Sequence, residues 1–174
     1  MPGTTDPSVL GQRGKRDFEA GNYASALEEF QSSAEGYGAV DDRANQAEQL
    51  NNVGVTLLQL GRARDALDAV TGTDAVFAGQ GDLRRQGIAM NNQASALEAL
   101  HRPDEAIAAY EKAAQVLGEA AEGAMQTAAL KAAAAIDLRR GHLASSGSTM
   151  LGALSSNPNP NLLERVLRAL LRRI

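Results

Sequence analysis

The chain has no cysteine and no tryptophan, and its phenylalanines and tyrosines together make up only 3% of 174 residues. Without thiols there can be no disulfide framework, thiol nucleophile, iron–sulfur cluster or thiolate zinc site, and a reducing compartment is compatible with the composition. With so few rings, a core has to be built from Leu, Val, Ile and above all Ala. Alanine lets helix backbones approach closely and is the best intrinsic helix former. β-branched residues are few, which argues against sheets. The prolines cluster near the ends, at Pro2, Pro7, Pro158 and Pro160, with only Pro103 between them, so long uninterrupted helices have room to form. Met1 to Val9 lacks a basic stretch followed by an apolar run, so no secretory signal is expected. No run of eighteen apolar residues occurs, so no spanning helix is expected. A cytoplasmic location fits these absences. The Ala-, Arg- and Gly-rich usage is of the kind that a GC-rich bacterial genome produces.

Charge is unevenly placed. Residues 161–174 carry four Arg against one Glu, a net +3, so residues 1–160 carry −7 of the total −4. An acidic body with a basic tail is not the footprint of a general nucleic-acid binder. The length suits one domain with a sizeable core.

An internal repeat dominates the rest. A Gly/His position recurs at Gly21, Gly61, His101 and Gly141, forty residues apart each time. Five residues later stand Ala26, Ala66, Ala106 and Ser146; nine later, Phe30, Val70, Tyr110 and Met150. Seven residues before it stand Gly14, Gly54, Ala94 and Ala134; eleven before, Leu10, Leu50, Met90 and Leu130. Each unit reads as a helical hairpin. Leu50, Val53, Leu57 and Leu60 form the apolar stripe of a first helix. Gly54 lies beside that stripe, where a side chain would hold the partner helix away, and Gly61 ends the helix. Ala66, Leu67 and Val70 make the stripe of a second helix. Pro103 suits the first turn of a helix, with Asp104 and Glu105 at its positive end. Helices are expected at 8–20, 23–37, 41–60, 63–77, 81–100, 103–118, 120–140, 143–154 and 161–173. The second helix of unit four is the weak one, because Ser145, Ser146, Gly147, Ser148 and Thr149 are poor helix-interior residues.

The pattern resembles the tetratricopeptide repeat family. The family's small, glycine, alanine, aromatic and small positions fall on Gly14, Gly21, Ala26, Phe30 and Ser33. In the following units they fall on Gly54, Gly61, Ala66, Val70 and Thr73; on Ala94, His101, Ala106, Tyr110 and Ala113; and on Ala134, Gly141, Ser146, Met150 and Ala153. The period is longer than the family's usual length of about 34 residues. In this it is similar to the long repeats of kinesin light chain and of multidomain bacterial signalling proteins. The resemblance implies an all-α fold: a right-handed superhelical stack of about four hairpins followed by a C-terminal amphipathic helix. The implied layout is a flexible N-terminus at 1–6, a solenoid at 7–154, a Pro/Asn linker at 155–160 and the terminal helix at 161–174. It further implies a protein-interaction module or adaptor whose first helices line a concave face and hold a peptide or protein segment. The family's ligand-touching positions fall on Gly11 and Gln12, Asn51 and Asn52, Asn91 and Asn92, and Lys131 and Ala132, with Lys15, Gln59 and Arg139 nearby. Two Asn pairs at one phase of adjacent units make a potential amide ladder. Asn donates and accepts at once, as a peptide backbone does. The alternative is that one Asn of each pair is structural and caps or braces the preceding loop or helix.

The terminal segment opens with Asn161 and Glu164 at capping-box spacing. Leu162, Leu163, Val166, Leu167, Leu170, Leu171 and Ile174 then share one stripe, with the arginines off it. Burying seven such side chains is worth on the order of 10 kcal/mol before ordering costs. Such a helix has three destinations: a cap on unit four, a groove on a partner or second copy giving a homo-oligomer, or weak attachment to an anionic membrane surface.

No constellation suggests an enzyme, a cofactor or a metal. Gly11 to Arg16 lacks phosphate-loop spacing and sits in a helix. His101 and His142 fall at helix-ending turns, Glu28/Glu29 and Asp41/Asp42 read as helix surface and helix start, and Tyr23, Tyr37 and Tyr110 are too sparse to stack bases. Arg84 and Arg85 read as plain surface.

Overall fold

In a computed structural model, the structure describes residues 6–157, 160, 164–165 and 168–169. Among them the chain is all-α, with no strand. The helices are α1 (Pro7–Glu19), α2 (Tyr23–Ala39), α3 (Arg43–Gln59), α4 (Ala63–Val70), α5 (Thr73–Gly79), α6 (Leu83–Ala99), α7 (Pro103–Glu119), α8 (Gly123–Arg139) and α9 (Leu143–Ser156). Residues 164–165 and 168–169 are helical as well. Helices neighbouring in sequence pack on each other, except across the break between α4 and α5, where each packs on α3 and α6 instead. α3 also touches α6. No helix among the described residues is long and apolar enough to cross a membrane.

The cadence is set by the turns, and the underlying step is twenty residues. Gly21, Asp41, Gly61, Gly81, His101, Ala121 and Gly141 all have φ between 55° and 80°. At each turn the left-handed residue donates its N–H to the carbonyl three residues back, at 2.9–3.1 Å. The following residue donates to the carbonyl five back, at 2.8–3.0 Å. These are Schellman closures, which satisfy the last carbonyls of a helix and reverse the chain. The first helices of units one to three are then started by aspartates. Asp6 accepts from Ser8 N–H at 2.8 Å, Asp42 from Asn45 N–H at 3.1 Å and Asp82 from Arg85 N–H at 2.9 Å.

Small side chains bring each pair together. Ala26, Ala66 and Ala106 are each 0% exposed, beside buried Phe30, Val70 and Tyr110. A Cβ on Gly14 would stand 2.7 Å from the Phe30 ring, and one on Gly54 would collide with Val70 Cγ1. Within unit three, a Cβ on Gly87 would reach within 2.6 Å of Leu117 Cγ, while Phe77 packs on Ala47 of its own unit and on Ala89 of the next.

Two helices depart from expectation. The single helix expected at 63–77 is broken into α4 and α5: Thr71 is extended and Gly72 left-handed at φ 83°. The hydroxyls of Thr71 and Thr73 bond to the carbonyls of Leu67 and Val70, so Thr-Gly-Thr offers the backbone a stop and a restart. In unit four, α9 forms despite its serines and runs on to Ser156, into the expected linker. Ser146 donates to the Ala134 carbonyl of α8 at 3.0 Å, and Ala153 and Leu154 are buried. Tertiary packing there outweighs weak intrinsic propensity.

Candidate functional site

The four first helices, α1, α3, α6 and α8, carry the candidate site. Because 3.6 residues make a turn, positions 48, 51, 52 and 55 of α3 share one face, opposite the core face carrying Val53 and Leu57. Three clefts lie along this face. The first, about 130 Å³, is lined by Lys15, Phe18, Glu19, Phe30, Asn52 and Val55. The second, about 320 Å³, is lined by Glu48, Asn51, Asn52, Val55, Phe77, Arg84, Arg85, Ile88 and Asn92. The third, about 250 Å³, is lined by Ile88, Asn91, Leu117, Met125 and Ala128. Asn52 and Val55 belong to the first and second, and Ile88 to the second and third, so the clefts form one continuous run.

The asparagines divide by role. Asn51 is 7% exposed; its amide donates to the Ala47 carbonyl at 2.9 Å and its oxygen accepts from Asn92 Nδ2 at 3.0 Å. It braces α3 to α6 and offers little to a ligand. Asn52 donates to Gln49 Oε1 at 3.3 Å and is half-exposed, as are Asn91 and Asn92. The two Asn pairs are joined by one bond between adjacent first helices, Asn92 to Asn51, and Asn52 takes no part in it. Gln12 and Gln59 are exposed. Gly11 is buried against Gln49 and Ser33.

Charge along the first helices is held by pairs. Glu48 lies 3.7 Å from both Lys15 and Arg85, loose contacts that bridge α1, α3 and α6. Arg85 is held by Asp82 at 2.7 Å and stacks over the Phe77 ring, 5.0 Å from its centroid. The backbone N–H of Arg85, then its side chain, hold the Asp82 carboxyl below the usual range. Arg84 pairs with Glu122 at 2.8 Å. Arg139 pairs with Glu98, and Lys131 with Glu164. Glu98 also accepts from the Tyr110 hydroxyl at 3.0 Å. Burial first, with the Glu98 charge adding to it, pushes the Tyr110 phenol up to about 12, while the Ser95 hydroxyl pulls the other way. Ser95 Oγ is 3.0 Å from both Tyr110 Oη and the Asn91 carbonyl and has one proton to give.

Arg84 and Arg85, read as plain surface, therefore line the central cleft. Val55, Ile88, Ser95 and Glu98 were not singled out in the sequence. Forty-residue alignment of 48 with 88, and of 55 with 95, was the signal available for them. Leu162, Leu163, Val166, Leu167, Leu170, Leu171 and Ile174 lie outside the described residues. Among the described residues no group of three or more His, Asp or Glu is placed to hold a metal ion.

No protein-family model matches this chain, and no curated protein matches it.

Proposed function

We propose that the chain is a tetratricopeptide-like repeat module, a right-handed superhelical stack of four long hairpins. It works as an adaptor that holds a peptide or protein segment along the concave face of its first helices, without catalysis. The observation that carries this reading is the continuity of the three clefts through Asn52, Val55 and Ile88. An extended or helical segment laid there meets amides for its backbone at Asn52 and Asn92. Its apolar side chains meet Val55 and Ile88, and its charges meet Lys15, Glu48 and Arg85. Amide recognition depends little on ligand sequence, so affinity comes from the length of groove filled, with the charged pairs setting orientation.

The test uses a random peptide library displayed on phage and selected against the full chain. Enriched peptides should lose about tenfold in affinity with the double variant Asn52→Ala/Asn92→Ala, about 1.4 kcal/mol at roughly one hydrogen bond each. They should bind normally to Arg64→Ala, an exposed residue of α4. Equal binding to all three proteins would remove the groove from the account.

A further inference from the structure

The groove face of α8 differs from those of α3 and α6. Where α3 presents Glu48, Asn51, Asn52 and Val55 toward α6, the same positions eighty residues on give Ala128, Lys131, Ala132 and Ala135 on α8. α3 joins α6 through Asn51 and Asn92 and through Glu48 and Arg85; Ile88 and Asn91 of α6 share a cleft with Met125 and Ala128 of α8. This is therefore the face that each first helix gives to the next. On α8 it is a strip of methyl groups with one cation.

The occupant is visible at one end. Glu164 Oε1 accepts from Lys131 Nζ, and Glu164 Oε2 accepts from Asn157 Nδ2 at 2.7 Å, with the Glu164 side chain only 13% exposed. Nε and Nη2 of Arg168 are shielded from solvent too. In sequence register the segment continues the repeat: Leu10, Leu50, Met90 and Leu130 are followed forty residues on by Leu170, and Glu164 takes the place of Arg84 and Ala124.

We propose that the helical residues Glu164, Arg165, Arg168 and Ala169 belong to an element that docks within its own chain on the alanine face of α8, in the forty-residue register and latched by Lys131. A carboxylate seated between an ammonium and a carboxamide, beside alanines that let a helix backbone come close, fits an intramolecular partner reached from the end of α9. The groove then ends at this helix, and the segment is not the element offered to a membrane or to a second copy. This inference does not depend on whether the groove binds a peptide.

Because the chain has no cysteine, the pair Ala132→Cys/Arg165→Cys in the otherwise unaltered full chain can be joined by a short bismaleimide at low protein concentration. A cross-linked product of single-chain mass is expected. In that background Glu164→Lys should lower its yield about fivefold, the scale of one ion pair, and adding Lys131→Glu should restore it. Circular dichroism of each variant separates loss of docking from loss of fold, and Glu164→Gln serves as a milder replacement if the reversed charge unfolds the chain. A product of twice the chain mass, no product in a folded protein, or a yield indifferent to the charge changes would overturn the proposal.

Discussion

The second helices of units two and three begin alike and continue differently. α7 runs unbroken from Pro103 to Glu119, whereas its counterpart stops at Val70 and restarts at Thr73. Thr71-Gly72-Thr73 stands where unit three has Glu111-Lys112-Ala113. Yet Phe77 and Leu117, forty residues apart, are equally buried, and the turns at Gly81 and Ala121 close in the same way. The comparison teaches that the repeat is timed by its turns and by the residues packed between units, not by continuity of the helix. A break is tolerated when it adds no residue to the count.

The sharpest way to break this equivalence is to remove the two residues that hold it. Phe77→Ala should cost about 3–5 kcal/mol and Leu117→Ala about 2–5 kcal/mol, read by urea denaturation. If the break insulated unit two, Phe77→Ala would cost far less than Leu117→Ala. Next comes Gly54→Ala: the added methyl meets Val70 Cγ1, so stability should fall by about 1–3 kcal/mol and partly recover with Val70→Ala. Position 94 already carries Ala, 0% exposed in the core cluster that also holds Tyr110.

Turn substitutions should be smaller and of opposite sign in the two units. Ala121→Gly should raise stability by up to about 1 kcal/mol, because Ala at φ 59° is strained where glycine is not. Gly81→Ala should lower it by about 1–2 kcal/mol, and thermal melts of both variants compare the two. The smallest expected effect concerns pH. Asp82 caps α6, whereas Glu122 makes no side-chain cap bond at α8. Since the Asp82 pKa is depressed by folding, its contribution is present above the ordinary carboxylate range and is lost as pH falls through the folded value. Asp82→Asn should therefore flatten the acid limb of a stability–pH curve, read from urea melts between about pH 2 and 7.

Much of the hairpin pattern was legible because its columns share a chemistry: Ala26, Ala66 and Ala106 are small for one steric reason. The turn column at Asp41, Gly81 and Ala121 was not, because three chemically unlike residues share only a backbone conformation. Gly38 and Gly118 are equally telling, since each makes room for a glutamine eight residues on, Gln46 and Gln126, a relation visible only when the packing is known. The break at Gly72 was written in Thr-Gly-Thr, but the forty-residue repeat favoured one helix. For the candidate site, the phase of the Asn pairs placed Asn52 and Asn92 along one face. It did not separate Asn51, whose partner Asn92 is forty-one residues away. Arg85 was passed over because its setting is made by Phe77 of α5 and Glu48 of α3, from other elements.

The measurement closest to the central claim is an amide and side-chain NMR titration of the isotope-labelled full chain with a library-selected peptide. The account predicts that the largest shifts fall on Asn52, Val55, Ile88 and Asn92, with little change on the exposed faces of α2, α4 and α7. Shifts concentrated on those faces instead, with the four groove residues silent, would contradict it.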